Sequence, residues 1–145
     1  MNVKRILCPV DFSKASDAAL DVASQLAREQ KAKLFIVHVE EAAALVEPGL
    51  FAGVPTVAWT NKYRLSQTLP TATKVKFEHA LLFGDPATEI VGFIDENDID
   101  LVVLGTHGAT GFRRILLGSV AEAVVRKANV PVMTVKKKTA AEVAA

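Results

Sequence analysis

The residues best suited to chemistry lie in one short stretch, GTHGATGFRRILLGSV, at positions 105–120. Gly105 and Gly108 allow positive φ angles and a close approach of the backbone to a ligand. Nine residues after Gly108, Gly118 and Ser119 open a segment with a helical pattern. The first amides of a helix have no partner within it and carry the positive end of its dipole, so they attract phosphate. The stretch therefore predicts a phosphate site.

A structural role explains the same residues as well. The sequence SVAE at 119–122 matches a capping box, in which Ser119 caps the helix and Glu122 bonds back to it. Glycines that follow a strand also make simple turns. From the residues alone, a phosphate site and a strand-to-helix turn both remain open.

Alternating strand and helix patterns must position this stretch. A helix is predicted after its cap Ser13, a second with Asp85 as cap and Pro86 as first helical residue, and a third at 119–128. Short apolar runs predict strands at 3–10, 34–39, 74–82, 101–105 and 130–135. The alternation indicates a single-domain α/β protein with an open parallel sheet and right-handed crossovers.

Two segments do not follow this pattern. The crossover at 41–73 has four prolines and glycines in its first half and accommodates a short helix around 58–68. The end of the chain is predicted to fray, with 139–145 as a disordered tail.

Composition excludes several classes of function. The chain has 145 residues, of which 50% are hydrophobic, and this suits one domain with a real core. The formal net charge of +1 does not favour nucleic acid or an anionic membrane as a partner. No apolar run approaches the ~18 residues of a membrane span, and the N-terminal run is too short for a signal peptide. The one cysteine, Cys8, cannot form an internal disulfide, so we expect a core position and a cytoplasmic location.

The expected site lies where two strands end. Open parallel sheets bind ligands beyond the carboxyl ends of their strands, where the strand order reverses. The first strand ends in Pro9, Val10 and Asp11, and the fourth ends at Gly105.

Two segments resemble the universal stress protein family. They are PVDFSKASDAAL at 9–20 and FGDPATEIVGFIDENDIDLVVLGTHGATGFRRILLGSVAEAVVRKANVPVMTVK at 83–136. The spacing Gly105, two residues, Gly108, nine residues, Gly118, Ser119 is that of the family's ATP-binding branch. The resemblance implies a five-stranded parallel sheet of order 3-2-1-4-5 with helices on both faces, Rossmann-like and similar to the adenine nucleotide alpha hydrolases, over residues 1–138. The crossover at 41–73 departs from the family's pattern.

The resemblance also implies roles for individual residues. Backbone amides of Gly108, Gly118, Ser119 and Val120 would bind the phosphates, with the Ser119 hydroxyl assisting, and Gly105 would let the nucleotide approach. Asp11 would accept hydrogen bonds from the ribose or hold a magnesium-bound water. Pro9 and Val10 would form the floor of the pocket. Val39 and its neighbour His38 would border the adenine. Three side chains would reach the phosphates, namely those of His107, Arg113 and Arg114.

The function implied is ATP binding by a dimeric stress-response or signalling module, with AMP and ADP as related ligands. The sequence shows no Gly-Lys-Ser/Thr loop and no GxSxG elbow. The alternatives are an enzyme (at most a slow ATP hydrolase, or a phosphoryl or adenylyl transferase) and a chaperone-like protein with a structural nucleotide. The family pairs its last strand with that of a second copy, so a homodimer through 130–136 is predicted.

Overall fold

The protein contains one sheet of five parallel strands, flanked by helices. The computed structural model describes residues 1–41, 56–107 and 117–137. The strands are β1 Arg5–Pro9, β2 Lys33–Glu40, β3 Phe77–Phe83, β4 Leu101–Gly105 and β5 Val132–Val135. The helices are α1 Lys14–Gln30, α2 Thr56–Ser66, α3 Pro86–Glu96 and α4 Ser119–Lys127.

The strand order is β3-β2-β1-β4-β5, which confirms the predicted topology. From β1 the chain moves outward through β2 to β3, then returns to the other side of β1 to form β4 and β5. The first and fourth strands pair in register at Ile6 with Leu101 and at Leu7 with Val102. The order therefore reverses between β1 and β4, and a crevice opens at the carboxyl ends of these two strands.

Helices bury both faces of the sheet. Ile6 and Cys8 of β1 lie in one core with α1 and with Leu65 of α2. Leu7, which points to the other face, lies in a second core with Ile90 of α3 and Val124 of α4. Burial on both faces explains why the central strands are continuous apolar runs instead of alternating ones.

Two predicted caps are confirmed and the third is wrong. Ser13 accepts a hydrogen bond from Ser16 N at 3.2 Å, and Asp85 accepts one from Thr88 N at 3.0 Å. At α4 the first helical bond runs from Glu122 N to Gly118 O at 2.9 Å, which makes Gly118 the N-cap. Ser119 is thus the first helical residue, and Glu122 pairs with Arg126 instead of bonding back.

The boundaries of some elements also differ from the prediction. The third strand begins at Phe77, later than predicted, after Lys74 has taken a left-handed φ of 61°. The short crossover helix is confirmed as α2, which begins two residues earlier than expected. The predicted tail at 139–145 and residues 42–55 of the crossover lie outside the described residues.

The helices are moderate in length. In the three described segments, no helix is both long enough and apolar enough to pass through a bilayer.

Two glycines test how closely the elements pack. A Cβ at Gly105 would lie 2.8 Å from the carbonyl carbon of Ala15, whereas a Cβ at Gly92 of α3 would contact no atom within 4 Å. We expect Gly105→Ala to destabilise the fold by about 1–3 kcal/mol through overpacking. Gly92→Ala should stabilise it by about 0.5–1 kcal/mol because alanine costs less backbone entropy in a helix.

Urea unfolding of both variants beside the wild type measures these free energies. Equal effects of the two substitutions would contradict the packing explanation for Gly105.

Candidate functional site

A cleft of about 700 Å³ opens at the carboxyl ends of β1, β2 and β4. Gly108, Arg113 and Arg114 lie outside the described residues. Each remaining predicted site residue lines the cleft: Pro9, Val10, Asp11, Val39, Gly105, His107, Gly118, Ser119 and Val120. Residues that are far apart in sequence are thus brought to one cavity by the strand order.

The amino-terminal turn of α4 forms one wall of the cleft. The first helical bond is donated by Glu122, so the amides of Ser119, Val120 and Ala121 precede it and have no partner within the helix. These amides carry the positive end of the helix dipole. The wall is therefore suited to an anion.

The amide of Gly118 has a different role from the predicted one. It donates to the carbonyl oxygen of Thr106 at 2.5 Å and so ties the start of α4 to the residue that follows β4. This bond makes Gly118 N a structural donor. Ala121, whose amide belongs to the first turn of α4, was missed because the prediction counted the amide of Gly118 among the free amides instead.

Glycine is needed at 105 for packing. The backbone of Ala15 in α1 approaches so closely that a Cβ at 105 would overlap its carbonyl group. The close approach of a nucleotide was the predicted reason, but contact between helix and strand already explains the residue. At Gly118, by contrast, φ is −67° and ψ is 166°, values that any residue adopts.

Asp11 follows β1 and is held by the turn that leads into α1. Its Oδ1 accepts a hydrogen bond from Ser13 N at 3.0 Å, and its amide donates to Ser16 Oγ at 3.2 Å. Its side chain is exposed at the cleft. Ser16 also lines the cleft and was missed, because in the sequence it is one polar residue within an alanine-rich helix.

A polar network lies where β2 ends. His38 Nδ1 lies 2.7 Å from the carbonyl oxygen of Val10, and Nε2 lies 3.1 Å from Oε1 of Glu40. Asn61 of α2 donates to the same carboxylate oxygen. Because a carbonyl oxygen only accepts, Nδ1 must carry a proton. His38 is thus a packed strand residue, and it links β2 to the residue that follows β1.

Glu40 and Asn61 are site residues that sequence reasoning missed. Glu40 is only 4% exposed, although its side chain is a carboxylate. Both residues line the cleft. Nothing in the sequence connects the end of a strand with a polar residue 21 positions further along in the crossover.

His107 and Thr106 form the rim beside β4. Thr106 is buried, and its Oγ1 lies 3.0 Å from Nδ1 of His107. His107 lines the cleft, and its contact with phosphate stays a prediction.

The described residues contain no cluster of three or more His, Cys, Asp or Glu side chains able to hold a metal ion. The magnesium prediction therefore depends on Asp11 together with oxygens from a ligand.

Cys8 lies in the core beneath the cleft. The thiol is fully buried, and desolvation raises its pKa to about 12. At neutral pH it is therefore a protonated packing residue, as predicted.

The chain is similar to proteins of one family. The family model described as Universal stress protein family matches residues 2–136. Universal stress protein MJ0531 of Methanocaldococcus jannaschii is 36% identical, over 92% of this chain and 82% of that protein. Universal stress protein MJ0577 of the same organism is 30% identical, over 93% of this chain and 96% of its own length.

Solved structures agree with the fold. The structure of MJ0577 has a TM-score of 0.74 at 25% identity and covers 97% of this chain and 100% of its own. The universal stress protein from Archaeoglobus fulgidus in complex with dAMP has a TM-score of 0.70 at 28% identity, over 94% of this chain and 100% of its own.

The network around Glu40 makes a prediction about stability. Glu40→Ala would leave the half-buried amide of Asn61 without its acceptor and Nε2 of the buried His38 without its partner. We expect a loss of about 1–3 kcal/mol in the free energy of unfolding. Glu41→Ala is the matched control, because the same side chain one position later is exposed and its removal should change stability by less than about 0.5 kcal/mol.

Chemical denaturation at neutral pH measures both values. Equal stability of the two variants would show that the hydrogen bonds to Glu40 contribute nothing.

Proposed function

The chain belongs to the universal stress protein family, and from this premise we propose that it is an ATP-binding stress-response or signalling module. The proposed ligand site is the cleft at the carboxyl ends of β1, β2 and β4. AMP and ADP are proposed as related ligands of the same cleft. A reducing, cytoplasmic location is proposed because Cys8 is a free, buried thiol.

One juxtaposition supports this proposal most strongly. The first-turn amides of α4, which have no partner within the helix, and the exposed carboxylate of Asp11 line a single cleft. A nucleotide needs both kinds of group, since its phosphates accept hydrogen bonds and its ribose hydroxyls donate them. Charge-assisted bonds contribute about 1.5–3 kcal/mol each, so three amides supply much of the roughly 8 kcal/mol of micromolar binding.

The other cleft residues fit the remaining parts of the ligand. Val39 and the neighbouring His38 would border the base, and Pro9 and Val10 would form the floor. A related structure at 28% identity is a complex with dAMP, which supports an adenine nucleotide as the ligand class.

Magnesium fits the site as a companion of the phosphates. Mg²⁺ keeps several waters and binds one or two carboxylates together with phosphate oxygens. One oxygen of Asp11 is engaged by Ser13 N, so we assign a water-mediated contact to the carboxylate.

We also propose a homodimer through residues 130–136. β5 lies at the edge of the sheet, and the carbonyl oxygens of Pro131 and Val135 accept bonds from the β4 side. Alternate residues of a strand point their backbone groups to opposite sides, so Val132 and Thr134 face away from β4. An apolar edge with outward-facing backbone groups is a template for pairing with a second copy.

Gly118→Val tests the binding proposal. The φ and ψ angles of Gly118 are ones that valine adopts, and a side chain at this N-cap would extend beside the first turn of α4. We expect isothermal titration with Mg-ATP to show micromolar binding by the wild type and at least a tenfold loss in the variant.

Gly92→Ala, in the middle of α3, serves as the control and should bind as the wild type does. Unchanged affinity in Gly118→Val would refute the assigned phosphate position. ATP turnover in the same samples that disappears in Asp11→Ala would favour the alternative, a slow hydrolase.

Thr134→Pro tests the dimer. Proline removes an N–H that faces away from β4, so the variant should fold and lose the pairing between copies. Sedimentation equilibrium at micromolar concentration should show a dimer for the wild type and a monomer for the variant. Met133→Pro, at a position that faces β4, should instead lower the stability of the sheet. A monomeric wild type would reject the proposed assembly.

A further inference from the structure

Phe12 has an unusual backbone conformation at the edge of the cleft. Its φ is 66°, in the left-handed region, and it lies between Asp11 and the helix cap Ser13. This region is disfavoured for bulky residues, and it persists only when the surroundings hold it. The contacts that hold Phe12 therefore also determine where the neighbouring Asp11 lies.

Two side chains enclose the ring of Phe12. The imidazole of His38 lies 4.7 Å away between ring centroids, with 40° between the planes. The guanidinium carbon of Arg64 lies 4.3 Å from the ring centroid, which is a cation–π contact. We call these three residues the Phe12 clamp.

Both outer members of the Phe12 clamp are fixed. His38 is anchored by the carbonyl oxygen of Val10 and by Glu40. Arg64 belongs to α2, which is docked by the buried side chain of Leu65 and by the bond from Asn61 to Glu40. The crossover helix is thereby connected to the turn that carries Asp11.

We propose that Phe12 and Arg64 are positioning residues for Asp11, and that α2 acts through them on recognition of the ribose. The inference rests on the proposed function, in which the Asp11 carboxylate accepts hydrogen bonds from the ribose hydroxyls. When the clamp is weakened, Phe12 leaves the left-handed region and the carboxylate moves from its binding position. Binding affinity then decreases selectively for ligands that carry ribose hydroxyls.

The test compares two nucleotides on one pair of variants. Titration calorimetry with Mg-ATP and with Mg-2′,3′-dideoxy-ATP is performed on the wild type, Arg64→Ala and Arg28→Ala. The side chain of Arg64 is exposed, so Arg64→Ala is expected to fold. Arg28→Ala is the control because it removes the same charge from the far end of α1.

We expect Arg64→Ala to weaken ATP binding about two- to fivefold, the size of an exposed cation–π contact. Binding of the dideoxy nucleotide should stay within about 1.5-fold of the wild-type value, since it has no hydroxyls for Asp11 to meet. Arg28→Ala should bind both nucleotides as the wild type does. Phe12→Ala, which removes the ring but keeps a Cβ that disfavours the left-handed backbone, should give the same selective loss.

Equal losses for both nucleotides would overturn the inference, because they would indicate a general charge effect on the phosphates or an Asp11 contact through magnesium. Unchanged ATP binding in Arg64→Ala, or equal wild-type affinity for the two nucleotides, would overturn it too. A wild-type protein that binds neither nucleotide would overturn the proposed function itself, and this outcome is distinct from the others.

Discussion

The pairing of β1 with β4 is the constraint on which the candidate site depends. It places the turn after β1 beside the turn after β4, although more than 90 residues separate the paired positions Ile6 and Leu101. Helices cover both faces of these strands, and the cleft opens at their carboxyl ends. The cleft is a consequence of the strand order, and its chemistry is supplied by the residues that follow each strand.

The approach of α1 to β4 shows how closely this arrangement is packed. Gly105 has no room for a side chain because Ala15 occupies the space beside it. Gly118 has an ordinary backbone conformation, and its amide is tied to Thr106. Gly105 and Gly118 thus differ: contact between elements explains glycine at 105, whereas the backbone angles at 118 do not require glycine.

The polar side chains at the end of β2 connect the crossover helix α2 to the cleft. A carboxylate at 4% exposure is costly unless it is hydrogen-bonded, and Glu40 meets this requirement through His38 and Asn61. His38 in turn contacts Val10 and packs against the ring of Phe12 with a tilt of 40°. The crossover helix is therefore part of the wall that a ligand would meet.

The sequence by itself determined the strands, the strand-to-helix turns, the caps at Ser13 and Asp85, and the location of the cleft residues that lie beside glycines or at strand ends. These features arise from local periodicity and from turn-forming residues, and both can be read within one continuous stretch of sequence. The tertiary structure alone decided the N-cap of α4, the packing reason for Gly105, and the contacts among Glu40, Asn61, Phe12 and Arg64. These depend on distances between segments remote in sequence, and no local pattern records which polar side chains will meet once the sheet has assembled.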